Sequence, residues 1–501
     1  MSQPLPVDPP PMPAAGGGDP KPQGWFAAIL PVVLIAGCGE LGISVLSNSA
    51  LPVYVSKGLG VGTGVYGWLL AAFFASEALA KAPLGALSDK FGRKPLILMG
   101  ALITVFTPIF LISIRYDPAS ATAVAALIAF GFLRALDGLG TAALWPALYA
   151  YVGDVVAEAR RATAMGALNV VYMLGLAFSF LAGGFVDDTF GPLLTHDAGV
   201  TLGGQMSEVS HRVRHNFAQA GHHLAGLGRH GHAAVGAAPL PAPIVVNPVY
   251  QPGHYIPSFY LTSFLFALAA ITAMIGLRNR PHKSVAQTAD AAQEASLSWA
   301  QFVSALKCVP QFLWIALVMF LGIGCIMPLV KLFALDEFKI TETEFGVLTL
   351  GPSLVIAAIA LPAGRLADAW GKTQSVRLGF VLATLGLWGI PIIHHLHGGK
   401  NAFIGAASLL GVGFVLAFPA WLALLSSLGG EHQRGTIFAS VSTAQGVGAG
   451  LGVLIGTRLY EHAGHITPFV VSASLATVGS LLALVFVRDA ALRRSKAGGD
   501  C

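Results

Sequence analysis

Apolar runs long enough to cross a bilayer, about 20 residues each, recur twelve times along the chain. Their approximate spans are 25–47, 65–87, 95–115, 121–150, 163–186, 257–278, 310–333, 345–366, 375–395, 401–428, 435–458 and 466–487. Backbone groups in hydrocarbon must be satisfied within their own segment, so each run is expected to be a helix. The pattern predicts an all-α polytopic membrane protein of two six-helix bundles. The expected organisation is a disordered tail over 1–23, a first bundle over 24–280, a linker over 281–308, a second bundle over 309–488 and a tail over 489–501. Within the linker, Leu297, Trp299, Phe302 and Leu306 predict a short amphipathic helix lying on the membrane surface.

Between the second and third runs lies GALSDKFGRKPL, Gly85 to Leu96, with Asp89, Lys90, Arg93 and Lys94. Gly92 suits a tight turn because glycine takes positive φ at little cost. Asp89 can offer its carboxylate to unpaired N–H groups of a neighbouring helix. GRLADAWGK, Gly364 to Lys372, repeats the arrangement, with Asp368 lying 279 positions after Asp89. Gly140-x4-Trp145-Pro146 returns as Gly413-x4-Phe418-Pro419, and Glu158-x-x-Arg161 as Glu431-x-x-Arg434, both at an offset of 273. Packing alone does not place the same polar residues on the same loops, whereas a duplicated six-helix unit does.

The loop G-x-L-x-D-x-x-G-R-K resembles the signature loop of the major facilitator superfamily of secondary transporters, and the degenerate second copy fits that family too. The resemblance covers nearly the whole chain and implies alternating access between two pseudo-symmetric halves. Arg134-x-x-Asp137-Gly138-x-Gly140 is similar to the fourth-helix motif R-x-x-x-G-x-G, which the family associates with proton coupling. Gly175, Ser179-Phe180 and Gly183-Gly184 resemble the fifth-helix motif of drug:proton antiporters, with Ser-Phe where that motif has Gly-Pro. The resemblance further implies a conformational latch built from Gly85, Asp89, Gly92, Arg93, Asp154, Glu158, Arg161, Asp368, Glu431 and Arg434. From the same source, plausible cavity liners are Asn48, Trp145, Tyr172, Met319, Phe320, Trp421 and Gln445.

Composition agrees with the pattern. Hydrophobic residues make up 55% of the 501, charged residues 11%, and mean hydropathy is +0.71, where a soluble domain carries roughly a quarter charged residues. Of the 29 Lys and Arg, eighteen fall on the side that holds both termini, nine on the other, and Lys81 and Arg134 inside spans. That bias predicts a bacterial-type inner (plasma) membrane protein with cytoplasmic termini. It also accounts for the net charge of +5 without nucleic acid as a partner. Cys38, Cys308, Cys325 and Cys501 are scattered singly, so neither a metal cage nor a disulfide framework is expected.

An ionisable side chain inside a span costs roughly 2.5–3.5 kcal/mol on insertion scales and so needs a partner, water or a purpose. Glu40, Glu77, Lys81, Arg134 and Asp137 are such residues, all in the first half. Lys81 lies four residues after Glu77, and Asp137 three after Arg134, so each pair shares a helix face. Lys331 and Arg458 sit near span ends, where long side chains are expected to snorkel. Charge concentrated in one bundle points to Glu40, Glu77, Arg134 and Asp137 as proton-coupling groups, with an apolar substrate surface in the other half.

The outer stretch 187–256 carries eight histidines, His196, His211, His215, His222, His223, His230, His232 and His254, which could bind metal or sense pH. No HExxH, phosphate loop or nucleophile–base cluster falls inside a span, which argues against an enzyme. Proton-coupled export of small lipophilic or amphiphilic compounds by a monomer is the leading expectation, with the proton as coupling ion and no cofactor. Uptake of a sugar, organic acid or other nutrient, and a non-transporting sensor of the same fold, remain the alternatives.

Overall fold

A computed structural model describes residues 24–156, 158–195, 252–278, 310–425 and 434–487. The two expected tails, the linker and most of the histidine-rich stretch lie outside the described residues. Among the described residues there are twelve helical rods, labelled α1–α12 in chain order. α1 runs from Gly24–Ser44 through π-helical turns at Val45–Ala50 and Tyr54–Gly58. α2 is Thr63–Phe91, α3 Arg93–Ser113, α4 Ala123–Val155, α5 Glu158–Thr195 and α6 Ile256–Gly276. α7 comprises Pro310–Ile326 and Val330–Phe338, and α8 is Glu342–Trp370. α9 is Lys372–His395, α10 Lys400–Leu425, α11 Arg434–His462 and α12 Thr467–Phe486. Ten of these stretches are long and apolar enough to cross a membrane.

Many large apolar side chains point outward, among them Leu79, Phe132, Phe264, Ile275 and Trp314. In water such a surface would aggregate; against lipid it is the expected exterior. Inside, α3 meets α4 and α9 meets α10 through small residues. A Cβ on Gly140 would stand 3.0 Å from the Gly100 carbonyl oxygen, and one on Gly379 2.6 Å from that of Gly413. These two contacts obey the offsets of 279 and 273, so the duplication read from loops also holds in the helix crossings. Gly92 and Gly371, another pair 279 apart, turn the chain at φ +94° and +97°, a region that side-chain-bearing residues avoid.

The halves meet along two seams, α2 against α11 and α5 against α8. Hydrogen bonds tie both seams at the end where α1 turns into α2. Thr63 Oγ1 donates to Thr457 O at 3.1 Å and Gly64 N–H to Glu461 Oε2 at 2.9 Å. Phe180 and Phe345 meet edge-on at 5.3 Å. This is called the sealed end below.

Two boundaries differ from expectation. The first span reaches Gly58 rather than 47, because π-helical bonding continues the backbone pairing through Ser47, Asn48 and Ser49. α5 runs to Thr195, so Asp187 and Asp188 belong to the helix and not to an outer loop beginning at 187. Both are held by neighbours: Ser258 bonds Asp187, and Thr343 N–H donates to Asp188 Oδ2 at 2.8 Å.

Candidate functional site

Arg134 and Asp137 share one face of α4 and are completely buried, with Nη1 to Oδ2 at 2.6 Å. Thr107 of α3 donates to the other oxygen of Asp137. Arg134 Nη2 donates to Ser47 Oγ of α1 at 2.8 Å, and its guanidinium lies 4.8 Å from the centre of the Phe73 ring on α2. Arg134 Nε has no hydrogen-bond partner. A guanidinium cannot lose its proton in a protein, so this charge is permanent and Asp137 is its counter-ion. Four helices converge on the pair. The glycines of its motif let them do so, since a Cβ on Gly138 would collide with Ser76 and the Phe73 carbonyl oxygen.

Glu40, on α1, is buried and accepts a hydrogen bond from Ser44 Oγ at 2.9 Å. Glu77 pairs with Lys81 at 2.8 Å within α2, although Lys81 stays half exposed. Glu40 and Glu77 lie in each other's neighbourhood, and both lie near Tyr172. Trp145 stacks edge-on against Tyr172 at 5.4 Å and lies 5.9 Å from Tyr149. Two carboxyl groups and three aromatic rings thus form one group in the first half. Gly175 of α5 permits it: its Cβ would stand 2.9 Å from that of Glu40.

The idea that buried charge belongs only to the first half is corrected. Lys331 of α7 does not snorkel; it is 1% exposed and pairs with Glu342 of α8 at 2.5 Å. Its ammonium also donates to Ser49 O at 2.8 Å and Ser49 Oγ at 2.9 Å, across the halves. Three N–H donors meet three acceptors, which is what a charged, desolvated lysine requires. Snorkelling loses because the chain continues past Lys331 to Phe338, leaving the lysine well inside. Asp187 lies near enough to feel both Lys331 and Glu342. Sequence reading missed Asp187, Lys331, Glu342 and the serines of α1; Asp187, three residues past Gly184 in an apolar run, was the available signal.

At the opposite end Arg93 Nε meets Asp154 Oδ2 at 3.1 Å, a contact within the first half, and Arg93 Nη1 donates to Ser88 Oγ at 2.6 Å. Lys94 Nζ donates to the last carbonyls of α6, Met274 at 2.7 Å and Leu277 at 2.9 Å, a favourable place for a cation. In the second half Arg377 does the same for Leu484 of α12 at 2.9 Å. Gly85 has open space beside it, so no close approach demands a glycine there. The side chains of Asp89, Glu158, Arg161, Asp368 and Arg434, and all of Glu431, lie outside the described residues.

Of the expected cavity liners, Met319, Phe320 and Trp421 converge on one apolar cavity in the second half. Phe380, Phe414 and Leu387 are among the other residues of its wall. Trp421 Nε1 is buried there without a hydrogen-bond partner. Trp145 and Tyr172 lie in the other half with Glu40. Asn48 is buried in the π-helical turn of α1 with Oδ1 unpartnered, and Gln445 is half-buried on α11. The seven therefore do not form one site.

Comparison with known proteins agrees with this architecture. The profile described as Major Facilitator Superfamily matches residues 32–196 and 312–500. The chain belongs to that superfamily. Multidrug resistance protein 2 of Bacillus subtilis (strain 168) is 22% identical over 431 residues, 84% of this chain and 86% of that protein. Quinolone resistance protein NorA of Staphylococcus aureus is 24% identical over 170 residues, 34% of this chain and 42% of NorA. Among solved structures, a D-xylose-proton symporter superposes with a TM-score of 0.65 at 11% identity, covering 93% of this chain and 98% of the symporter. Nucleoside transporter NupG gives 0.64 at 10% identity, covering 92% and 100%. At such identities these two establish the fold alone. The chain is a multi-pass membrane transporter of the major facilitator type.

Proposed function

We propose that this transporter exports small lipophilic or amphiphilic compounds in exchange for protons, with both termini in the cytoplasm of a bacterial-type cell and the sealed end facing out. The observation that carries the coupling half is the completely buried Arg134–Asp137 pair. While Arg134 faces it, Asp137 remains an anion. A rocking motion or a bound substrate that parts the two leaves a lone carboxylate in a low-dielectric site, and taking up a proton relieves the cost. Glu40 and Glu77, beside the aromatic group, are the further acids able to receive a proton or a cationic cargo. The Arg93–Asp154 pair, with Asp89, Glu158, Arg161, Asp368, Glu431 and Arg434, would hold the cytoplasmic side when that side closes.

The cargo class rests on two supports. The second-half cavity is lined by apolar and aromatic side chains, and the relatives are named for resistance to multiple drugs and to quinolones. The test is accumulation of a quinolone in proteoliposomes under an imposed pH gradient. Arg134→Ala and Asp137→Asn are expected to abolish driven accumulation while sparing exchange down the drug gradient. Unchanged accumulation in both variants overturns the coupling assignment; absence of any gradient-driven flux in the wild type overturns the export reading.

A further inference from the structure

At the sealed end five elements meet around Asp187. α5 brings Asp187 itself and Asp188, α7 brings Lys331, α8 brings Glu342 and Thr343, α1 brings Ser49, and the start of α6 brings Ser258. His254, just before α6, faces Asp188 at 3.5 Å. Asp188 is further occupied by Thr343 Oγ1 at 2.7 Å and lies partly open to solvent. The innermost titratable groups are thus two acids, Asp187 and Glu342, and one cation, Lys331, all nearly devoid of exposure.

Counting charge comes first. Lys331 and Glu342 neutralise each other at 2.5 Å. An ionised Asp187 would leave one uncompensated negative charge in a buried site, which costs several kcal/mol. Hydrogen-bond geometry gives the second argument. Ser258 Oγ lies 2.8 Å from Asp187 Oδ2 and 3.2 Å from the Gly183 carbonyl oxygen. A hydroxyl has one proton to give. With Asp187 ionised the two acceptors must share that one proton, whereas both contacts become full hydrogen bonds when Ser258 donates to Gly183 and Asp187 Oδ2 donates its own proton to Ser258 Oγ. Asp187 Oδ1 meanwhile accepts from Ser258 N–H at 2.9 Å, as the carbonyl oxygen of a carboxylic acid does.

We propose that Asp187 holds a proton on Oδ2 while this end is sealed, and that losing it to the adjoining water unlocks the gate that Lys331 closes. With Asp187 ionised, two carboxylates compete for one ammonium. Lys331 is then drawn from Ser49 and Glu342, and the bonds that staple α1 to α7 and α8 weaken. Protonation from the same face restores the neutral cluster and the seal. The proton enters and leaves on one side, so this gate is separate from the translocating acid Asp137. The inference rests on the proposed reading only in assuming that the protein alternates between closed and open ends.

The test is the distance between spin labels at exposed Ala121 and Leu396, at the sealed ends of the two halves, in a cysteine-free background reconstituted in nanodiscs. In the wild type the distance is expected to lengthen as the buffer moves from mildly acidic to mildly alkaline. Asp187→Asn reproduces the protonated acid, its amide nitrogen donating to Ser258 and its oxygen accepting, so the variant is expected to stay closed across that range. Infrared spectra supply a second readout: a protonated-carboxyl carbonyl band present in the sealed wild type is expected to be lost in Asp187→Asn. A pH-independent wild-type distance, a wild-type profile in Asp187→Asn, or an unchanged infrared band overturns the proposal. Asp137→Asn separates the two ideas, because it should lose driven accumulation and keep the pH-dependent distance.

Discussion

Ser47 and Ser49, two residues apart in the π-helical turn of α1, serve opposite halves of the molecule. Ser47 Oγ accepts from Arg134 Nη2 at 2.8 Å, and Ser49 O accepts from Lys331 Nζ at 2.8 Å. In an α-helix such residues lie about 200° apart, and the wider π turn, a feature frequent at functional sites, continues through them. Tyr66 OH adds a bond to Ser47 O at 2.7 Å. Both buried ion pairs are tied to this one turn, so movement of either half is felt by the charge in the other.

Removing one member of the first pair should be worse than removing both. Arg134→Met strands Asp137 in a fully buried site, and losing a partner of this kind costs about 3–5 kcal/mol. The double variant Arg134→Met/Asp137→Leu replaces the pair with apolar bulk and is expected to recover most of that loss. Unfolding midpoints of the four members of the cycle in detergent measure the coupling. Additive losses would mean that the pair contributes nothing beyond its separate side chains.

The glycine contacts make a symmetric prediction. Gly140→Val pushes against Thr104 and the Gly100 carbonyl, and Gly413→Val pushes against Ala383 and Gly379. Overpacking of this kind costs about 1–3 kcal/mol, and the two variants should lower the thermal midpoint by similar amounts. Gly85→Ala, with open space around it, should leave the midpoint unchanged. A large loss at Gly85 with none at Gly140 would contradict the crossing geometry.

These contacts mark what was legible beforehand. Twelve helices and the Arg134–Asp137 and Glu77–Lys81 pairs follow from hydropathy and from i, i+3 and i, i+4 spacing, which act within one segment, and the duplication follows from motifs that recur 273 and 279 positions apart. Lys331–Glu342 was not readable, because the two residues lie on different helices on either side of a turn. In the sequence Asp187 reads as the start of a loop, where acids end an apolar run; Ser258, 71 positions away, keeps it inside. The resemblance and residue type together name cavity liners in both halves, and neither says in which half an apolar cavity forms.

Depth should separate two ion pairs of the sealed end, Lys57–Asp336 across the halves and Lys331–Glu342 within the second half. Lys57 and Asp336 meet at 2.5 Å near the surface, with side chains 16% and 30% exposed, and Tyr460 OH also donates to Asp336 at 3.1 Å. Exposed pairs contribute about 0–1 kcal/mol. Lys57→Ala is therefore expected to shift the unfolding midpoint slightly and to have more effect at low salt than at high salt. Lys331→Ala should cost several times more and respond weakly to salt. Equal losses and equal salt dependence would show that burial does not set the strength of these bridges.

A wall residue of the second-half cavity carries a buried, unpartnered donor. Trp421 stands in a wall of Met319, Phe320, Phe380 and Phe414, its ring 5.5 Å from Phe312, and its indole N–H makes no bond. Phenylalanine at this position keeps the aromatic face and removes the donor. For cargo with a carbonyl or carboxylate acceptor, Trp421→Phe should lower affinity by up to about tenfold, the worth of one hydrogen bond of about 0.5–1.5 kcal/mol. For a purely apolar dye of similar size the affinity should stay the same. Trp421→Ala removes the wall as well and should weaken both. Apparent KM values for a quinolone and an apolar dye in proteoliposomes distinguish these outcomes. Equal sensitivity of both compounds to Trp421→Phe would mean that the N–H is not presented to the cargo.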